Sequence, residues 1–165
     1  MKIETLVVGM LQENCYIVTI GNNSFIVDPG DEADRIIDLC NDKNIKEILV
    51  THHHFDHVGA LEKLEKHFGL KENVRSNLFN YEAIKTPGHT VDSVTYYFPD
   101  EKVMFTGDFI FYHSIGRTDL PTGSMEDMIN SLNLISKYSN DIEVYPGHGP
   151  KTCLGKEKNN FKYYV

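Results

Sequence analysis

The sequence predicts one α+β domain, on the basis of its length, its two short hairpin turns and the strand–helix units between and after them. A chain of 165 residues has the usual size of a single domain, about 100–200 residues. Turn-forming residues join strand-like runs at 21–23 and 99–101, which is typical of antiparallel hairpins. No repeat or linker interrupts the chain. We therefore expect a single domain over 1–165.

The order of elements follows from the hydrophobic pattern. Strand-like runs lie at 3–8, 15–20, 24–28, 45–51, 93–98, 102–108 and from 142 onward. One helix is expected to begin with Asp31 as its N-cap, and a second to begin at residue 58 and end at Gly69. A third is expected over 124–138, where Ser124 and Asp127 have the spacing of a capping box. The residue pattern of segment 70–86 is compatible with strand, with loop or with both.

Composition excludes several classes of function. The formal net charge is −8, so the chain lacks the overall excess of basic residues that is typical of nucleic-acid binders. No nucleic-acid partner is therefore expected. No apolar run approaches the roughly 18 residues of a membrane span, and the N-terminus is a poor signal peptide. The three cysteines are widely spaced, which favours a reducing compartment. We expect a cytoplasmic protein without a membrane partner; the oligomeric state is not predicted.

The stretch THHHFDH (51–57) is the strongest chemical signal. In an extended segment, His52 and His54 project to the same side and His53 to the opposite side. Asp56 and His57 follow in a turn and reach a second point nearby. One short segment can therefore supply ligands to two metal ions, with His53 as the spare histidine.

Other potential ligands also follow strand-like runs or tight turns. His89 in PGHT, Asp108 in TGD and His148 in PGHG each lie beside a glycine, and Asp108 has two oxygens with which to bridge two ions. Histidine and carboxylate ligands suit zinc-like or iron-like divalent ions with a water or hydroxide between them. Asp28, at a strand end before Pro-Gly, is either a turn residue or a partner that orients a ligand histidine.

Seven motifs together resemble a known family. They are QENCYIV (12–18), FIVDPGDE (25–32), THHHFDH (51–57), TPGHT (86–90), FTGDFIF (105–111), SIGRTD (114–119) and YPGHGP (145–150). The chain resembles the metallo-β-lactamase superfamily, and within it the glyoxalase II-like (hydroxyacylglutathione hydrolase-like) branch. The resemblance implies a four-layer αβ/βα sandwich, with two mixed, mainly antiparallel sheets, helices outside and a dinuclear metal site along one edge.

The resemblance also implies a division of the ligands. His52, His54 and His89 match the ligands of the first metal. Asp56, His57 and His148 match those of the second, and Asp108 matches the bridge. The implied cofactors are two divalent ions, zinc foremost, with iron or manganese as alternatives.

The implied activity is hydrolysis of a small-molecule thioester or ester, S-2-hydroxyacylglutathione being one such compound. A metal-bridging hydroxide would attack the carbonyl, with Asp56 and Asp108 as catalytic residues. Arg117 would contact an anionic substrate group; a loop ion pair with Asp119 is the alternative. The chain ends soon after His148, so no C-terminal helical glutathione-binding domain is expected, and the segment 58–88 is shorter than the family commonly shows.

Three alternative functions stay open at this point. One is a mononuclear-iron persulfide dioxygenase, whose branch also carries a GRTD-like loop. Another is a phosphodiesterase or nuclease of the same superfamily, which the acidic balance disfavours. The last is a metal-binding protein without catalytic activity.

Overall fold

The computed structural model describes residues 1–165. Their contacts divide the chain into two compact units, Met1–Asn80 and Tyr81–Val165. Each unit has its own main sheet and its own apolar core. The expectation of one domain over 1–165 stays a prediction. No helix has the length and apolar character needed to cross a membrane.

The first unit contains a four-stranded sheet and three helices. Its strands are β1 (Lys2–Val8), β2 (Glu13–Ile20), β3 (Asn23–Val27) and β4 (Ile45–Leu49), and its helices are α1 (Ala33–Leu39), α2 (Phe55–Val58) and α3 (Leu61–Phe68). The strand order is β1-β2-β3-β4. The first two pairings are antiparallel, and β3 pairs with β4 in parallel. The predicted hairpin between β2 and β3 is confirmed, with Gly21 at φ 59° in its turn.

The second unit contains a five-stranded sheet, a small hairpin and two helices. Its strands are β5 (Glu82–Lys85), β6 (Val94–Phe98), β7 (Val103–Gly107), β8 (Ile110–Phe111), β9 (Ser114–Ile115), β10 (Glu143–Pro146) and β11 (Thr152–Cys153), and its helices are α4 (Met125–Ile135) and α5 (Leu154–Phe161). The main sheet has the order β11-β10-β7-β6-β5. Only β7 and β10 pair in parallel. Both main sheets are thus mixed and mainly antiparallel, as predicted.

Two details of the helix predictions are wrong. Asp31 is not the N-cap of α1: its Oδ1 accepts the N–H of Glu32 at 2.7 Å, and Glu32 precedes the helix in a left-handed conformation, φ 54°. The helix expected from residue 58 begins only at Leu61, as α3, and Val58 belongs instead to the separate short helix α2. Gly59 lies so close to Gly30 that an added Cβ would be 2.3 Å from the carbonyl oxygen of Gly30, and this contact fixes the break.

The cap of α4 follows the sequence more closely. The side chain of Ser124 accepts the N–H of Asp127 at 3.1 Å, so the predicted N-cap is confirmed. In the segment 70–86, strand forms only at its end, as β5.

The two apolar cores hold the strand ends that carry the potential ligands. In the first unit, Ile17, Ile26 and Ile48 are fully buried in one cluster, and they fix the sheet from which the loop 50–54 emerges. In the second unit, Met104 and Val144 are fully buried in another cluster. Polar residues at the ends of these strands therefore project from rigid supports.

Candidate metal centre

The histidine-rich segment lies between β4 and α2. The rings of His52 and His54 are 4.9 Å apart between centroids. His53 is turned the other way, and its Nε2 lies 2.9 Å from Oε2 of Glu72 at the surface. Since β4 ends at Leu49, the segment is not regular strand, but the predicted alternation of side chains is confirmed.

Asp28 connects two of these histidines through a buried hydrogen-bond network. Its Oδ1 accepts the backbone N–H of Thr51 at 2.7 Å, and its Oδ2 accepts the Thr51 hydroxyl at 2.6 Å. The same Oδ2 lies 2.9 Å from Nδ1 of His57. Thr51 Oγ1, whose proton goes to Asp28, lies 3.0 Å from Nδ1 of His52. Asp28 therefore contacts His57 directly and reaches His52 through Thr51.

This network determines the tautomers of both rings. A carboxylate only accepts hydrogen bonds, so Nδ1 of His57 carries the proton. The Thr51 oxygen has donated its own proton and accepts one from Nδ1 of His52. In both neutral rings the lone pair then lies on Nε2, the atom that can ligate a metal.

The backbone of Asp28 supports this interpretation of its role. Asp28 has a φ of 49°, which is uncommon for a non-glycine residue. Strained residues of this kind are concentrated at functional sites, where the surrounding structure holds them in place. The hypothesis that Asp28 orients a ligand histidine is consistent with its observed contacts. Asp28 does not only form a turn, because its side chain also bonds to Thr51 and His57.

Two further carboxylates, those of Asp56 and Glu13, lie near the ring of His57. Oδ2 of Asp56 lies 3.7 Å from Nε2 of His57, on the side of the ring opposite Asp28. Glu13 Oε1 lies 3.7 Å from Nδ1 of the same ring, and both Glu13 and His57 are buried. The ring of His57 is 4.2 Å from that of His52 between centroids. The first unit thus gathers two histidine rings and the Asp56 carboxylate around one point.

The second unit holds the other three predicted ligands, with His89 and His148 close to the Asp108 carboxylate. Its Oδ2 lies 3.5 Å from Nε2 of His89 and 3.6 Å from Nε2 of His148. Nδ1 of His89 lies 2.8 Å from the carbonyl oxygen of Arg117, so Nδ1 is the donor and Nε2 again carries the lone pair. The three residues follow β5, β7 and β10 in the chain.

Glycines make these close approaches possible. Gly88 precedes His89 at φ 147°, and an added Cβ would be 2.6 Å from Cα of Met128. Gly116 lies against Asp108, where an added Cβ would be 1.8 Å from the Asp108 carbonyl oxygen. Of the glycines noted beside the ligands in the sequence, Gly88 therefore has a steric reason, whereas a Cβ added to Gly149 would meet nothing within 4 Å.

Arg117 is engaged within its own loop. Its Nε and one terminal nitrogen donate to the two carboxylate oxygens of Asp119 at 2.7 and 2.8 Å. This bidentate contact holds the pKa of the Asp119 carboxyl at about 2 and raises the pKa of the Arg117 guanidinium. The loop ion pair that the sequence offered as an alternative is present. A substrate contact by Arg117 stays a prediction.

The donor atoms fit divalent transition metals. Nε2 of His89 and His148 lies beside an Asp108 carboxylate oxygen, and no cysteine sulfur is among the donors. Imidazole nitrogens and carboxylate oxygens suit zinc, iron and manganese. Each buried ring is also held at its other nitrogen, as metal-binding histidines are. The residues therefore fit the metal type that the sequence predicts.

Two buried neighbours of the cluster were absent from the predicted site. Thr51 precedes the histidines and bonds to a carboxylate 23 residues earlier, and Glu13 lies at the start of β2. The only feature of the sequence that could have indicated a role for Glu13 was its position as a charged residue directly before an apolar strand. For Thr51 there was none, because its role depends on contact with Asp28.

The chain is similar to known proteins over most of its length. The Metallo-beta-lactamase superfamily model matches residues 8–77 and 75–148. Hydroxyacylglutathione hydrolase GloC of Haemophilus influenzae is 32% identical to this chain, over 97% of this chain and 96% of that protein.

Solved structures give the same result. The crystal structure of BLEG-1 B3 metallo-beta-lactamase aligns with a TM-score of 0.91 at 26% identity, over 99% of this chain and 100% of that chain. The di-iron-bound form of TTHA1623 aligns with a TM-score of 0.87 at 30% identity, over 95% and 98% of the two chains. The predicted α+β metallo-β-lactamase fold is confirmed, and the chain belongs to the metallo-β-lactamase superfamily.

Proposed function

We propose that this protein is a dinuclear metal-dependent hydrolase of thioesters or esters, similar to glyoxalase II. One observation carries the proposal: the Nδ1 atoms of His52, His57 and His89 are each bonded to an acceptor, which directs three Nε2 lone pairs to ligation. The similarity to a hydroxyacylglutathione hydrolase supports thioesters as the substrate class.

The proposed ligand set is the one predicted from the sequence. The seven residues are His52, His54, His89, Asp56, His57, Asp108 and His148. Asp108 is the proposed bridge, because two histidine nitrogens lie 3.5 and 3.6 Å from one of its oxygens. Zinc is the proposed ion, and iron is the first alternative because a related structure holds two iron ions.

The chain's own groups would perform the remaining tasks of hydrolysis. When bound, the two cations polarise the substrate carbonyl and make a water nucleophilic at neutral pH. The Asp56 carboxylate, which is largely buried, would orient that water by accepting a hydrogen bond. Asp28 would keep His57 in the tautomer that ligates, through its direct hydrogen bond with Nδ1.

Metal analysis and a thioester assay test the proposal together. Protein purified without added metal should contain about two ions per chain, and removing them with a chelator should abolish hydrolysis of a glutathione thioester. Readdition of zinc, iron or manganese in parallel would identify the active ion. One iron per chain, with oxygen consumption on glutathione persulfide, would contradict the proposal and favour the dioxygenase.

A matched pair of variants links the activity to the ligands. His57→Ala should lose both metal and hydrolysis. His67→Ala, a histidine on α3 outside the cluster, should keep both. Equal hydrolysis by the two variants would show that the activity does not arise at this centre.

A further inference from the structure

An apolar cleft of about 320 Å³ lies beside Asp56 in the first unit. Its walls are the turn between β1 and β2, which carries Met10 and Leu11, and the start of α2 at Phe55. The cleft shares Asp56 with the proposed metal centre. An apolar surface that adjoins a reactive site is a common form of substrate pocket.

Two glycines line the cleft and allow close backbone packing beside it. A Cβ added to Gly30 would be 1.9 Å from the carbonyl oxygen of Asp56, and a Cβ added to Gly59 would be 2.3 Å from that of Gly30. The backbone of α2 can lie against the β3–α1 turn only because both positions lack side chains. At Gly30 and Gly59 the cleft is therefore lined by backbone atoms alone.

The rim is apolar and unusually exposed. Met10 is 98% exposed, Phe55 75% and Leu11 54%. The turn that presents Met10 and Leu11 is bent by left-handed residues at both ends, Gly9 at φ 69° and Gln12 at φ 53°. Single exposed apolar residues need no explanation, but three of them around one concavity indicate a binding surface.

The charges at the cleft define what it accepts. Its only charged lining residues are Asp31 and Asp56, and no lysine or arginine lines it, so the walls offer no basic side chain to a carboxylate or phosphate on the ligand. The basic residue predicted to hold an anion, Arg117, is bonded to Asp119 instead. An uncharged apolar group is the ligand that matches both the walls and the charges.

We propose that this cleft binds an uncharged apolar group of the ester substrate, such as an alkyl or aryl chain on the acyl or thiol side of the scissile bond. The inference rests on the proposed hydrolase function and names the substrate class within it. It distinguishes this protein from an enzyme that recognises its substrate mainly through the charges of glutathione.

Two series of thioesters test the cleft. The first lengthens the acyl group from acetyl to octanoyl on N-acetylcysteamine, and the second lengthens an alkyl thiol carrying an acetyl group. In at least one series, kcat/KM should rise about two- to threefold per added methylene, less than for full burial because the cleft is open. Whichever series rises identifies the side of the ester that enters the cleft. A flat response in both series would overturn the proposal.

Variants at the rim show whether binding in the cleft, and not the general hydrophobicity of the substrate, causes the preference for longer chains. Met10→Ser and Phe55→Ser should reduce the ratio of kcat/KM between the longest and shortest members of the rising series by about fivefold or more. Val74→Ser, which changes a 60% exposed residue of the same unit outside the cleft, should leave the ratio unchanged. A ratio that stays intact in the rim variants would contradict the proposal.

A binding measurement keeps this test independent of hydrolysis. N-phenyl-1-naphthylamine, an uncharged apolar dye, should bind the metal-free and the metal-loaded protein with enhanced fluorescence, and Met10→Ser should weaken that binding. If no thioester is cleaved but the dye binds, the proposed function fails and the cleft stands. If thioesters are cleaved and the dye does not bind, the cleft fails. Sedimentation that shows a dimer lost in Met10→Ser would assign the surface to a second copy and overturn the proposal.

Discussion

The two units supply their potential ligands in different ways. In the first unit, four ligands lie within the six residues 52–57, and Asp28 bonds to the network that holds two of them. In the second unit, three ligands follow three separate strands and meet at the single carboxylate of Asp108. In the first unit the potential ligands are neighbours in the sequence, and the residue that holds them, Asp28, is distant in the sequence. In the second unit the potential ligands are distant from one another in the sequence, and one of them, Asp108, contacts the other two.

This difference has an energetic consequence. His57 is fully buried in the first unit, whereas the side chain of His148 is 28% exposed in the second. Burial removes water that would compete with hydrogen bonds, so the Asp28 network is held rigidly even before a metal binds. In the second cluster, His89 is buried and bonded at Nδ1, whereas the contact between Asp108 and His148 is partly open to solvent and is held less firmly.

The largest effect should follow from removing the centre of the second cluster. Asp108→Ala deletes the carboxylate that lies beside both His89 and His148, so we expect loss of both ions and of at least about a thousandfold in kcat/KM, as for other groups that stabilise charge at a reacting centre. Metal content after dialysis and thioester hydrolysis measure the two losses. Asp100→Ala, at an exposed turn of the same unit, is the control. Full activity in Asp108→Ala would contradict the bridging role.

The contrast also explains what the sequence revealed. His52, His54, Asp56 and His57 were recognisable because one segment contains them all. His89, Asp108 and His148 were visible only as separate histidine or aspartate residues beside glycines, and their grouping came from the resemblance to a family. Sequence spacing carries no information on which distant turns meet, since the sheet order decides that.

The remaining features depend on contacts that no local pattern records. Thr51 acts through Asp28, 23 residues away. The break between α2 and α3 arises where Gly59 meets Gly30, although the apolar spacing favoured continued helix. Strands, hairpins and the cap at Ser124 were predictable because short-range chemistry determines them.

The next largest effect should separate the two branches of the Asp28 network. Asp28→Asn places an N–H₂ group against donors from Thr51 or His57, so metal affinity should fall by about 10–100-fold. The free energy of unfolding of the metal-free protein should fall by about 1–3 kcal/mol. Thr51→Val removes only the hydroxyl that reaches His52, and it should cost less metal affinity because His57 keeps its direct bond to Asp28.

Chelator competition and thermal unfolding of the metal-free protein measure these two effects. A partial loss in Thr51→Val and a larger one in Asp28→Asn would show that one carboxylate supports two histidines. Equal losses in both variants would show that the contact with His57 contributes nothing, and the network would then act through His52 alone.

A smaller effect should come from the spare histidine. His53→Ala removes an exposed contact with Glu72, and such surface pairs stabilise by about 0–1 kcal/mol. Metal content should therefore stay close to wild type, whereas His54→Ala, one residue further, should lower it clearly. Metal analysis of the two variants side by side measures this. Similar losses in both would contradict the assignment of His53 as the spare.

The smallest effect is expected at Arg117. Arg117→Met removes an exposed ion pair but keeps the backbone carbonyl that holds His89, so kcat/KM should change by less than about fivefold. The pKa of Asp119, held at about 2 by Arg117, should rise toward its ordinary value of 3.8. A lowered carboxyl pKa stabilises the folded chain at pH values above the ordinary pKa of 3.8, and this contribution is lost as the pH falls through about 2. The ratio of variant to wild-type activity should therefore be constant from pH 5 to 9.

Asp119→Asn provides the sharper comparison, since it leaves the Arg117 guanidinium without its carboxylate partner. If Asp119→Asn raises kcat/KM for an anionic thioester and leaves that for a neutral one unchanged, Arg117 is a latent anion contact. If neither substrate responds, the pair serves only to hold the loop that positions His89.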